Sequence, residues 1–229
     1  MRKKLIYIAD DEINIRNIIK LFLEKDNFDV DIFDNGELLL KSFKEKPSDM
    51  LILDIMMPGM DGYSLCAEIR KISSVPIIMV SAKDTESDKI IGLTIGSDDY
   101  MTKPFSPLEL IARVKTIFRR IEFDKNNSDE SEIINISDIK LNNNTKQVEV
   151  NGSSIRLTCT EFSLLYYLII NKSKAVSRNE LLDKIWGFES KVETRATDDM
   201  IKRIRKKLKN SGSKIKIETV WGFGFKIID

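Results

Sequence analysis

Between residues 5 and 121 the chain alternates short apolar runs with amphipathic helical stretches, and this alternation restricts the fold more than any other feature. Leu5–Ala9 reads as a buried strand. Ile15, Ile18, Ile19 and Phe22 then recur at i, i+3, i+4 and i+7, one face of a helix. Phe28, Val30 and Ile32 alternate with Asp29 and Asp31 as a second strand, and Asn35-Gly36 breaks the chain before a helix over 38–43. Strands are expected at 50–53 and 77–80 with a helix over 63–72 between them. A helix over 87–95, a short strand near Tyr100 and a last helix starting at Pro107 complete the run. Repeated βαβ units make a parallel sheet covered on both faces. Five in this length predict a doubly wound α/β domain, whose ligands gather beyond the carboxyl ends of the strands.

The pattern then changes. Residues 123–131 are polar and without period, a linker that sets the expected divisions at 1–122, 123–134 and 135–229. Short strands at 139–141, 147–150 and 155–157, with Asn-rich turns, form a meander. Helices follow over 160–171, 177–186 and 195–209. Thr158 with Glu161 and Ser177 with Glu180 have the spacing of capping boxes. A hairpin over 215–228 turns at Trp221-Gly222-Phe223-Gly224. Three helices closed by a hairpin predict an α+β winged helix-turn-helix domain. Charge divides at the same place: residues 1–122 hold 18 Lys+Arg against 21 Asp+Glu, and residues 135–229 hold 18 against 11. A basic second half points to nucleic acid.

The chain has no histidine, which removes Ser-His-Asp chemistry, imidazole zinc sites and any phosphohistidine carried on this chain. Its two cysteines, Cys66 and Cys159, are too far apart in sequence and context to suggest a disulfide framework. The apolar run after Met1-Arg2-Lys3-Lys4 stops at Asp10, and no run approaches membrane-spanning length, so a cytoplasmic chain without a membrane partner is expected.

Asp10 and Asp11 follow the first strand and Asp54 ends the third, so all three should converge on the sheet's carboxyl rim. Helix capping by Asp10 or Asp11 is the alternative for either residue alone and loses weight for the three together. Three carboxylates together repel unless a cation lies among them, and hard oxygen donors favour Mg²⁺ or Mn²⁺. Ser81 and Lys103 follow two further strands. A hydroxyl, an ammonium and a metal around one carboxylate suit transfer of a phosphoryl group onto Asp54.

Residues 8–12, 53–62, 80–82 and 98–105 make the first half similar to the receiver domain of two-component response regulators, over about residues 3–120. The resemblance implies that Asp54 accepts a phosphoryl group from a sensor histidine kinase. It also implies that Asp11, Asp54 and the Met56 carbonyl hold Mg²⁺, that Asp10 acts through water, and that Lys103–Pro104 is cis. Ser81 and Tyr100 take the family's switch positions. The helix near 87–95, the strand at Tyr100 and the helix from Pro107 would form a face for a homodimer on phosphorylation. The family pairs the equivalents of Lys89 with Glu109, Asp99 with Arg113, and Asp98 with Arg120 across that face.

Six cations crowd Lys202–Lys209, while Thr197, Ile201, Ile204 and Leu208 keep one face apolar, as for a helix in a major groove. Leu157–Phe162, Leu181–Gly187, Arg195–Leu208 and Thr219–Phe225 resemble the winged-helix effector of the OmpR/PhoB subclass. By that resemblance Arg195, Lys202, Arg203 and Arg205 contact double-stranded DNA, Thr219 meets a wing phosphate, and residues 187–194 face RNA polymerase. Met200 and Trp221 belong to the expected DNA face but stand where members often carry His and Arg. Phe223 and Phe225 read as core rather than base-stacking residues. A Mg²⁺-dependent phosphatase is disfavoured because Met56 stands where haloacid-dehalogenase-type enzymes place a second Asp. A flavodoxin is disfavoured because Asp10 and Asp11 would repel phosphate in the first loop. The intact acidic site argues against DNA binding independent of phosphorylation, which would show as binding unchanged in Asp54→Asn.

Overall fold

The computed structural model describes residues 2–82, 95–126, 133–186 and 195–228. The chain divides into two compact units, residues 1–114 and 115–229.

In the first unit β1 (Leu5–Ala9), β2 (Asp29–Phe33), β3 (Met50–Asp54), β4 (Ile77–Ser81) and β5 (Asp99–Thr102) form a parallel sheet ordered β2-β1-β3-β4-β5. Helices α1 (Ile13–Lys25), α2 (Gly36–Glu45) and α3 (Gly62–Ile72) connect successive strands, and α4 (Pro107–Asn126) follows β5. β1 and β3 are buried along nearly their whole length because helices cover both faces, so they read as continuous apolar runs rather than alternating ones. The order reverses at β1–β3, the switch point at which a ligand site is expected. Parallel register brings Ala9 beside Leu53, Asp54 beside Val80, and Ser81 beside Thr102, so the chemical residues share one rim. The expected helix over 87–95 lies almost wholly outside the described residues.

Asp98, expected on an exposed pairing face, is instead fully buried. Its carboxylate accepts from Arg70 Nη2 at 2.9 Å and from the Ile77 amide at 3.0 Å. Arg70 also donates to the carbonyls of Gly96 and Val75 at 2.9 and 2.6 Å, joining the end of α3 to the segments entering β4 and β5. Asp98 lies just before β5, where its carboxylate meets the Ile77 amide at the start of β4.

The second unit takes in the end of α4 from Lys115 and then an antiparallel sheet, β6 (Ile133–Ile136), β7 (Ile139–Asn142), β8 (Gln147–Val150) and β9 (Ser153–Ile155), in sequential order. Since α4 runs to Asn126 and β6 starts at Ile133, both ends of the expected linker lie in regular structure. Then come α5 (Cys159–Ile170), β10 (Val176–Ser177), α6 (Arg178–Ile185), α7 (Arg195–Asn210), β11 (Lys216–Val220) and β12 (Gly224–Ile228). β12 lies between β10 and β11, so the terminal hairpin is sewn to the start of α6. The Thr158–Glu161 capping box is complete. The second is half formed: Ser177 accepts from the Glu180 amide, but the Glu180 carboxylate accepts from the Tyr167 hydroxyl at 2.7 Å.

Removing Arg70 would take the guanidinium partner from a fully buried carboxylate. Arg70→Ala should therefore lower unfolding stability by about 3–5 kcal/mol. Asp98→Asn added to it should recover part of that loss in denaturant titration.

Candidate functional site

The acidic rim is held from both ends. Asp10 Oδ1 accepts from the Glu12 amide at 2.9 Å, and Arg16, buried on α1, donates to the Asp10 carbonyl. Asp54 Oδ1 accepts from the Met56 amide at 3.2 Å. Lys103 reaches back from the end of β5 and places Nζ 2.8 Å from Asp10 Oδ2, 2.9 Å from Asp54 Oδ2 and 3.3 Å from Glu12 Oε1. Oxygens of Asp10, Asp11 and Asp54 lie within 4.8 Å of one another; Asp10 and Asp54 are buried and Asp11 is exposed. Burial works against the Lys103 ammonium, but the hydrogen bonds to Asp10 and Asp54 outweigh it and hold its pKa above the usual range. Burial also pushes the Asp10 carboxyl up, against the hydrogen bonds from Lys103 and Glu12. One ammonium thus faces three carboxylates, so the residues fit a divalent cation taken by oxygen donors alone. Ser81 is fully buried on the same rim, Tyr100 is buried in β5, and the Lys103–Pro104 bond is cis.

On the expected pairing face, Asp99 and Arg113 meet within one chain through bonds of 3.0 and 2.9 Å, and Arg113 also holds Glu109 at 2.9 Å. Lys89 lies outside the described residues, and the Arg120 side chain is not described. With Asp98 engaged by Arg70, its expected partnership across a dimer is closed in this conformation.

A feature the sequence reading missed is an apolar groove of about 500 Å³ between α1 and the segment after β5. Ile15, Ile18, Pro104, Phe105 and Pro107 line it, and Glu12 and Lys103 form the edge nearest Asp54. Ile15 and Ile18, read as part of the apolar face of α1 with Ile19 and Phe22, are half-buried and exposed, because the face turned to the core carries Arg16, Ile19 and Leu23.

In the second unit α7 divides its cations. Arg203 Nε donates to Glu161 Oε1 at 2.8 Å, and Lys207 binds the other oxygen of that buried carboxylate. Arg205 donates to the Ile217 carbonyl at 2.7 Å and to Thr219 Oγ1 at 2.9 Å. Lys202, Lys206 and Lys209 stay exposed at i, i+4 and i+7, one stripe along the helix. Arg203 and Arg205, expected to touch DNA, therefore hold the helix to α5 and to the hairpin. Met200 is a plain correction: it is fully buried, because three and four residues separate it from Thr197 and Ile204 on the core stripe. Thr219 accepts a hydrogen bond from Arg205. Phe225 is core as expected, whereas Phe223 is half exposed and Trp221 stands at the hairpin tip. The Arg195 side chain is not described, and residues 187–194 lie outside the described residues.

Among the described residues no helix is long and apolar enough to cross a membrane. Residues 6–115 match the family described as response regulator receiver domain, and residues 152–227 match the family described as transcriptional regulatory protein, C terminal. The transcriptional regulatory protein YclJ of Bacillus subtilis is 41% identical over 222 residues, covering 96% of this chain and 97% of its own. The response regulator ArlR of Staphylococcus epidermidis is 38% identical, covering 97% and 98%. The crystal structure of the response regulator DrrB, an OmpR/PhoB homologue from Thermotoga maritima, superposes with a TM-score of 0.53 at 30% identity over 100% of both chains. With a parallel α/β unit bearing an acidic rim and a winged helix bearing a lysine stripe, the chain belongs to the DNA-binding two-component response regulators of the OmpR/PhoB type.

Proposed function

We propose that Asp54 accepts a phosphoryl group from the phosphohistidine of a sensor kinase, and that this controls pairing of the receiver domains and binding to promoter DNA. The observation that carries the reading is Lys103 Nζ, 2.9 Å from Asp54 Oδ2 in a cluster of three carboxylates. An Asp54 oxygen attacks phosphorus, the P–N bond breaks as the O–P bond forms, and the imidazole, protonated on its other nitrogen, leaves neutral. Lys103 offsets charge on the transferred group and Ser81 hydrogen-bonds one of its oxygens. Asp11, Asp54 and the Met56 carbonyl would hold Mg²⁺, with Asp10 acting through water; the ion supplies further positive charge. Movement of Ser81 toward the phosphoryl group opens space for Tyr100, remodelling the face that carries Asp99, Glu109 and Arg113. The apolar groove beside Lys103 is where the kinase surface docks, since a phosphohistidine must arrive next to Asp54. Paired effectors then read two half-sites through Arg195, Lys202 and Lys206, with Thr219 on a phosphate and residues 187–194 toward RNA polymerase. A phosphorylated receiver of this kind also loses its phosphoryl group slowly to water. The cytoplasm, where kinase and DNA meet, is its place of action.

Incubation with acetyl phosphate and Mg²⁺ should add one phosphoryl group to the intact mass, and Asp54→Asn should abolish the gain. An unchanged wild-type mass, or addition that survives in Asp54→Asn, would overturn the assignment.

Ile18→Asp places a charge in the groove without touching the acidic rim. It should slow transfer from the cognate kinase at least tenfold and leave labelling by acetyl phosphate unchanged. Equal slowing of both would place Ile18 with the chemistry rather than with docking.

Because the Asp10 pKa is raised in the fold, the stability linked to its protonated form is present below the ordinary carboxyl range. It is lost as pH rises through the folded value. At neutral pH the metal-free protein carries that strain, so Asp10→Asn should raise the metal-free thermal midpoint while weakening Mg²⁺ stabilisation. Thermal scans with and without Mg²⁺ check both signs.

A further inference from the structure

The loop between β3 and α3 carries Met56, whose amide donates to Asp54 Oδ1 at 3.2 Å, and runs on through Pro58 and Gly59. Its two ends are fixed by the core and by α3. Ile55 and Met57 are buried, and the Gly62 amide donates to the Ile55 carbonyl at 3.1 Å. The Asp61 carboxylate caps α3 by accepting from the Ser64 amide at 2.7 Å. Met56, Pro58 and Gly59 lie among these anchors and are exposed. An exposed stretch of loop keeps one shape only where something outside it takes hold.

What takes hold is α2. Asn35 caps that helix, accepting from the Leu38 amide at 2.9 Å. Glu37, in the first turn, points its carboxylate elsewhere: Oε1 accepts from the Met60 amide at 2.9 Å, 23 residues further along the chain. The two surfaces fit closely. A Cβ at Gly36 would fall 2.7 Å from the Met60 carbonyl oxygen, and one at Gly59, where φ is +78°, would fall 2.8 Å from Glu37 Oε1. A glutamate serving only the dipole of its own helix would need neither glycine.

We propose that Glu37 is a positioning residue for the acidic rim. Through the Met60 amide it holds the loop in the shape that keeps the Met56 amide on Asp54 Oδ1. Glu37 is not among the clustered carboxylates of the rim and acts on it through the loop. A loop ordered before a cation arrives costs less to order on binding, so the clamp sets how firmly the cation is held. The proposal rests on the reading of Asp54 and the Met56 carbonyl as the phosphoryl and Mg²⁺ site, and adds a residue that prepares it.

The test uses the full-length protein. Without metal, exchange of the Met60 amide with solvent, read by NMR, should be about tenfold faster in Glu37→Ala, the weight of one hydrogen bond to a charged group. Titration calorimetry should show Mg²⁺ bound about tenfold more weakly by Glu37→Ala, the low end for residues that orient metal ligands. Labelling by acetyl phosphate should need correspondingly more Mg²⁺, yet reach the wild-type rate once Mg²⁺ saturates. Glu37→Gln keeps an acceptor without the charge and should recover most of each loss. Mg²⁺ binding by Glu37→Ala within about twofold of wild type would overturn the clamp and leave the reading of the rim intact. A loss in Glu37→Gln as large as in Glu37→Ala would also overturn it, since charge acting at a distance would then be the cause. A wild type that binds no Mg²⁺ would overturn the reading of the rim itself, and the proposal with it.

Discussion

Lys103 is the interaction on which the chemistry of the first domain depends. Its ammonium spans Asp10 and Asp54 at 2.8 and 2.9 Å, joining the ends of β1, β3 and β5 through one side chain. Three carboxylates this close would otherwise repel, and one lysine offsets only part of their charge. The remaining negative charge makes Asp10, Asp11 and Asp54 a group that could hold a divalent cation. Ser81 and Tyr100 are buried on the paired strands β4 and β5 of the same sheet.

The second domain uses charge in the opposite way. Glu161 caps its own helix and, fully buried, fixes Arg203 and Lys207 of α7. Breaking such a pair from one side leaves an uncompensated buried charge, which makes the orientation of α7 hard to alter. Arg205 continues the connection from α7 to the hairpin. Half of the helix's six central cations therefore position it, and three lysines remain as the outward stripe.

Much of this was legible in the sequence because it follows periodicity. Continuous apolar runs marked buried parallel strands, and the residues after them fell on one rim because every strand of that sheet points the same way. Thr158 and Glu161 announced a helix start by spacing alone. What escaped depended on side-chain direction or tertiary pairing. Asp98 and Asp99 are adjacent and chemically identical, and only the register with β4 turns one toward Arg70 and the other toward Arg113. Nothing local shows that Glu161, 42 residues earlier, would be buried beside Arg203 and bind it. Met200 was within reach: its spacing from Thr197 and Ile204 already put it on the core stripe. β6 and β10 are short and lack strong alternation, so tertiary pairing defines them.

The two domains must communicate if phosphorylation is to change DNA binding, and pairing of receivers is the simplest route: it brings two winged helices to adjacent half-sites without altering either one. The most direct measurement is the sedimentation mass of the full chain with Mg²⁺, before and after adding beryllofluoride, which mimics the phosphoryl group on Asp54. A monomer that becomes a dimer, and fails to do so in Asp54→Asn, is the expected result. An unchanged mass with Mg²⁺ demonstrably bound would contradict phosphorylation-driven pairing and favour DNA binding independent of Asp54.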